Sequence, residues 1–164
     1  MAHLICDTSP IQYLHLAGLL NLLPELAARV SIPRSVAREL DIGRTLGVNL
    51  PDMSRMPWLT VSEPQHRHQE LCDSDLGPGE LDVLSLALER SNSIAVLDDK
   101  AARKMAESLQ LPFMGTLGVL REAKAQGRLV TVRPIMDKLR SVGFYLSDKT
   151  YSSILTATGE IDPS

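Results

Sequence analysis

Short runs of apolar and β-branched residues alternate with stretches of helical periodicity along nearly the whole chain, and this alternation restricts the fold more than any other feature. Leu4-Ile5-Cys6, Val30-Ser31-Ile32, Leu59-Thr60-Val61, Ile94-Ala95-Val96-Leu97, Pro112-Phe113-Met114 and Leu129-Val130-Thr131-Val132 read as extended segments. Between them, Ile11, Leu14, Leu19, Leu22 and Leu23 keep broadly helical spacing, as do Val36 and Leu40, and then Leu81, Leu84, Ala87 and Leu88. Further helices are expected from Lys100 to about Leu109, from Leu117 to Gln126, from Pro134 to near Gly143, and from about Ser147 to Ala157. Strands separated by helices of this length need right-handed crossovers, so the expected fold is α/β: a three-layer α/β/α sandwich with a mainly parallel central sheet. Thr8 or Ser9 is the expected cap of the first helix, with Pro10 in its first turn, and Pro33 is expected to open the helix that carries Glu39.

The stretch from Gly43 to Pro78 breaks the pattern with Pro51, Pro57, Pro64 and Pro78. Either it is a loop with a functional or partner-contacting role, or it conceals a helix around Gln65 to Cys72. A chain of 164 residues, 44% of them hydrophobic, is expected to form one domain over residues 1–158, with a flexible tail over 159–164. Met1 to Asp7 reaches a polar residue without a cationic leader, and no run approaches the length of a membrane span. A cytoplasmic protein with no membrane partner is expected, its Cys6 and Cys72 reduced.

Acidic residues stand where such a sheet gathers ligands. Asp7 follows the first strand and Asp98-Asp99 follow the strand at Ile94 to Leu97, both at carboxyl ends. Glu80 begins the helix that leads into that strand, and Glu39 lies within an earlier helix. Carboxylates brought to one point repel by ~3 kcal/mol per pair at ~5 Å and an effective dielectric near ~20, so their convergence implies a hard cation. Each acid also has an ordinary alternative: Glu80 can favour a helix dipole, and Asp99 can cap a helix. The net charge of −3 turns positive once these five acids are set aside. Arg34 and Arg38 flank Glu39, while Lys100, Arg103 and Lys104 follow the aspartates. Such cations form either a basic rim around an acidic centre or merely solvated helix faces.

In their order and spacing, Asp7-Thr8-Ser9-Pro10, Ile32-Pro33 with Val36 and Glu39-Leu40, Gly79-Glu80, Val96-Leu97-Asp98-Asp99-Lys100-Ala101-Ala102-Arg103 and Gly115-Thr116-Leu117-Gly118-Val119-Leu120 resemble the PIN-domain nucleases. The resemblance runs from about Leu4 to Asp148. It implies the same sandwich and, in active members, Mg²⁺- or Mn²⁺-dependent cleavage of RNA. It further implies the toxin half of a toxin–antitoxin pair, with a small antitoxin protein and a homodimer as expected partners. Asp7 matches the first family acid and Glu39 the second. Glu80 stands where many relatives carry aspartate, so its longer side chain suggests contact with the metal through water. Counting from Glu80 selects Asp98 as the fourth acid, whereas the pattern of an aspartate before a basic residue selects Asp99, the preferred of the two.

The chemistry expected of Asp7, Glu39, Glu80, Asp98 and Asp99 is hydrolysis of a phosphodiester with one or two cations, which needs no protein nucleophile. Thr8, Ser9 and Thr116 are candidates to orient water or a phosphate oxygen, and Lys100 and Arg103 to contact the substrate backbone. Other constellations point elsewhere only weakly. His66, His68 and Cys72 lack the paired spacing of a zinc site, and Gly115 to Gly118 lacks the ending of a phosphate loop. Trp58, Tyr13, Tyr145 and Tyr151 form no array, so packing is their expected role. A phosphotransfer domain would need a second acid just after Asp7, and Thr8-Ser9-Pro10 supplies none. A non-catalytic nucleic-acid- or protein-binding module on the same fold is the competing expectation.

Overall fold

The computed structural model describes residues 1–161. Five strands, β1 (His3–Cys6), β2 (Arg29–Pro33), β3 (Leu59–Ser62), β4 (Ser93–Val96) and β5 (Phe113–Met114), form a sheet in the order β3-β2-β1-β4-β5. All neighbouring pairs are parallel. Leu4, Ile5 and Cys6 are all buried, the unbroken apolar run that a central parallel strand needs because both its faces are covered. β3 at one edge exposes Thr60 and Val61, and β5 at the other is two residues long, which limits the unpaired backbone it presents.

Nine helices among the described residues surround the sheet: α1 (Thr8–Leu16), α2 (Leu22–Leu26), α3 (Arg34–Thr45), α4 (Gln69–Cys72), α5 (Pro78–Glu89), α6 (Lys100–Ser108), α7 (Thr116–Ala125), α8 (Arg133–Ser141) and α9 (Asp148–Ala157). The chain steps from β1 to β2 to β3 in one direction across the sheet and from β3 to β4 to β5 in the other. Right-handed crossovers therefore place the intervening helices on opposite faces. α5 packs on β1, β2 and β4 and touches α6, while α1 and α2 both pack against α7. The α/β/α layering expected from the alternation is thus present. Strand order reverses between β1 and β4, which opens a crevice at their carboxyl ends.

Local details depart from expectation in four places. Asp7 caps α1, accepting from the Thr8 amide at 2.8 Å, so Thr8 and Ser9 are free for other partners. Pro33 ends β2 and caps α3 from outside the helix. The irregular stretch contains a 3-10 turn at Met53–Arg55, the edge strand β3 and the one-turn helix α4, shorter than the Gln65 to Cys72 helix that was one alternative. Leu129 to Val132 joins no strand: Val130 is 89% exposed and the Val132 amide donates to Glu160 at 2.9 Å, so a carboxylate satisfies the backbone in place of a sheet neighbour. Glu160, at the start of the expected tail, is thereby tied to the body, and residues 162–164 lie outside the described residues.

Candidate active site

Asp7 directly follows β1, and Asp98 stands two residues past the end of β4, so the parallel pairing of Cys6 with Val96 delivers both to the same edge on either side of the crevice. The Asp7 amide donates to the Val96 carbonyl at 3.0 Å, which locks the two strand ends together. α3 brings Glu39 to this edge and α5 starts there. A Cβ on Gly79 would stand 3.2 Å from both Asp7 Oδ1 and Glu39 Oε1, and 3.3 Å from Val36. The absent side chain therefore keeps clear a small space between two carboxylates.

Every acid rests on a donor supplied by the local fold. Thr8 donates its amide to Asp7 and its hydroxyl to Glu39 at 2.5 Å, so one residue sets both. Ser9 Oγ donates to Asp98 at 3.0 Å. Asp98 also accepts from the Thr116 amide and hydroxyl, each at 2.7 Å, at the N-terminus of α7, where amide donors and helix dipole favour an anion. Gly115 permits this approach, because a Cβ there would stand 2.9 Å from Asp98 Oδ1. Glu80, the third residue of α5, reaches back to the Gly77 amide at 3.0 Å, the carboxylate half of a capping box. Asp99 caps α6 by accepting from the Ala102 amide at 2.9 Å.

Electrostatics tie the five together. Asp7 is 7% exposed, and its carboxyl is pushed up to about 7, first by burial and then by the charges of Glu80, Glu39 and Asp98, against the opposing Thr8 amide. The Glu80 carboxyl is raised by burial and by Asp99 and Glu39, against the Gly77 amide. Burial likewise drives the neighbouring Cys6 thiol up, aided by Asp7 and Asp98, so it stays protonated and inert.

A family model for the PIN domain matches residues 3–160. The chain belongs to the PIN-domain family. PIN domains are nuclease-type folds that act on nucleic acids and typically use divalent metals. No curated protein matches the chain. No helix among the described residues is long and apolar enough to cross a membrane.

The donor set of this PIN domain suits a hard cation, being all carboxylate oxygen, and the space above Gly79 has carboxylate oxygens on two sides. Among the described residues no three ligating side chains form a ready-made cage, as expected of like charges each resting on its own donor. Two clefts among the described residues are lined by several cations. One, of about 450 Å³, is lined by Arg34, Arg38, Arg67 and Pro78, but Arg34 pairs with Glu63 at 2.9 Å and Arg67 with Asp82 at 2.7 Å. The other is a groove of about 750 Å³ that has Asp98 in its wall and Lys100, Arg103, Lys104 and Arg121 along it.

Of the residues singled out for substrate contact, Lys100 and Arg103 are exposed in this groove. Thr116 is fully buried with its amide and hydroxyl given to Asp98, and Thr8 and Ser9 give their hydroxyls to Glu39 and Asp98. All three spend their hydroxyls on acids, while Thr8 and Ser9 stay partly exposed. Arg121 was not singled out from the sequence, because it reaches the groove from α7, outside the cluster of motif residues. Tyr145, expected to pack, is 88% exposed. Its neighbours Phe144 and Leu146 turn inward, an alternation that was visible but easily taken for loop sequence.

Proposed function

We propose that this PIN domain is a divalent-metal-dependent ribonuclease hydrolysing RNA phosphodiester bonds, with Asp7, Glu39, Glu80, Asp98 and Asp99 as its acidic centre. The observation that supports this most strongly is the pair of carboxylate oxygens from Asp7 and Glu39, each 3.2 Å from the point that a Gly79 side chain would fill. Asp7 and Glu39 would hold Mg²⁺ or Mn²⁺ there, with Glu80 close by and Asp98 across the crevice. Asp98, bonded to Ser9 two residues from Asp7, fits the role of fourth acid better than Asp99, which caps α6. When bound, the cation supplies positive charge for the phosphoryl oxygens and a more acidic water.

The chain's own residues set that chemistry up. Thr8 fixes the spacing of Asp7 and Glu39, and Ser9 and Thr116 fix Asp98. Burial of Asp7 strengthens its interaction with any charge placed beside it. RNA as substrate, the toxin role and a small antitoxin partner are carried from the family resemblance.

A second reading, a non-catalytic nucleic-acid-binding module, is favoured by one observation: Glu80 already serves as a cap on its own helix. Incubation of labelled RNA with the protein and Mn²⁺ separates the two. Cleavage that stops with chelator and is lost in Asp7→Asn, at unchanged or higher melting temperature, is the expected result. A fully active Asp7→Asn variant ends the nuclease reading, and RNA binding without cleavage in Mn²⁺ supports the module.

A further inference from the structure

The two cationic clefts differ in how their charge is used, and only the larger has one of the five acids in its lining. In the smaller one Arg34 and Arg67 are tied to carboxylates and Arg38 is not, whereas in the larger groove none of Lys100, Arg103, Lys104 and Arg121 has a carboxylate within 4.0 Å among the described residues. Lys100, Arg103 and Lys104 share one face of α6 by their spacing of three and four, and Arg121 comes from α7. Unpaired cations along a groove that ends at an acidic centre raise the local potential for a polyanion.

Tyr145 lines the same groove on the loop between α8 and α9. The loop is braced on either side of it. The Phe144 amide donates to the Leu139 carbonyl at 2.9 Å, and the Phe144 ring meets Tyr13 edge-on with centroids 4.9 Å apart. The Arg140 guanidinium donates to the Leu146 carbonyl at 3.1 and 2.8 Å, and Leu146 is buried. Tyr145 is thus held out into solvent by a fixed backbone, at the cost of exposing a large apolar ring. A second flat surface lines the same groove on the wall of α6 and β5, where the Arg103 guanidinium sits 5.6 Å from the centre of the Phe113 ring. Arg103 Nη1 is 4.0 Å, and Asp98 Oδ1 2.9 Å, from the point where a Gly115 Cβ would stand, so this wall adjoins the acids.

We propose that Tyr145 is the specificity-determining residue of this groove, an unpaired base stacking on its ring while Lys100, Arg103, Lys104 and Arg121 meet the phosphates of the strand whose track the groove forms. A ring face presented to solvent selects single strands, because bases in a duplex have both faces covered by their neighbours, while the cations alone would accept either. The choice of RNA rests on the nuclease reading above; the track itself does not require cleavage.

The test is fluorescence anisotropy with a short labelled oligoadenylate, alone and annealed to its complement, in chelator so that no cleavage occurs. The free strand is expected to bind more tightly than the duplex. Tyr145→Ala is expected to weaken strand binding about ten-fold, and Tyr145→Phe to retain it. Lys104→Ala and Arg121→Ala should each lower the slope of log affinity against log salt by about 0.7. Wild-type affinity in Tyr145→Ala, or an unchanged salt slope in both cation variants, overturns the track whatever the cleavage assay shows. The expected binding pattern in a protein that fails to cut RNA with Mn²⁺ upholds the track and removes the nuclease reading alone.

Discussion

Gly79 occupies the one position where a methyl group would press on Asp7, Glu39 and Val36 together. Its backbone is ordinary helix, so alanine fits the local conformation and gains up to ~1 kcal/mol in helix propensity. With that gain set against the crowding of three neighbours, Gly79→Ala is expected to change the melting temperature little while cutting Mn²⁺-dependent cleavage by at least about ten-fold, a loss of ~1.4 kcal/mol in transition-state stabilisation. Unchanged cleavage would mean that the space between the carboxylates is not used. Asp7 offers a second reading of the same point through pH. Its carboxyl titrates at about 7 in the fold, against ~3.9 in an unfolded chain. The metal-free fold thus holds a proton that the unfolded chain gives up. That stabilisation is complete below about pH 4 and lost as pH rises through about 7, by an amount on the order of 4 kcal/mol. In chelator at pH 8, Asp7→Asn should melt several degrees above wild type, and the difference should shrink as pH falls. A variant that melts lower at pH 8 would show that the Asp7 carboxylate is not penalised by burial and by its neighbours.

The helices place these groups by their ends. α7 offers its first amide and hydroxyl to Asp98, α5 its first turn to Glu80, and Asp7 and Asp99 cap α1 and α6, so four of the five acids depend on where a helix begins. The other end of α7 is stapled by Glu160, which accepts from Lys124 at 2.8 Å, from the Val132 and Arg133 amides at the start of α8, and from Thr158 beyond α9. Burial alone would raise its carboxyl, but these donors together hold it down to about 2. A depressed carboxyl stabilises the fold above the unfolded value near ~4.3, and this is lost as pH falls toward about 2. Glu160→Gln is expected to lose about 2 kcal/mol at pH 7, with the gap closing at acidic pH in paired thermal melts. A gap that persists at pH 2 would assign the loss to packing. Most elements were legible because periodicity of two or of 3.6 is local. Leu129 to Val132 misled because its β-branched residues have strand propensity but no strand beside them, and propensity yields to tertiary partners.

In the assembled molecule, residues from five segments meet at the reversal of strand order, and a cation held there binds the folded chain alone. Addition of Mn²⁺ at about a hundred times its dissociation constant should raise stability by ~2.7 kcal/mol, and Asp7→Asn should abolish that shift. A shift of equal size in the variant would place the ion elsewhere. Local spacing in the chain already carried the α/β class, the helix boundaries to within a few residues and the acids at strand ends, since each depends on neighbours within a turn or a strand. It did not carry the proximity of Asp7 and Glu39 across Gly79, the capture of Thr116 by Asp98, or the outward turn of Tyr145. Those follow from parallel pairing and crossover packing, which join segments tens of residues apart and leave no periodic mark in the sequence.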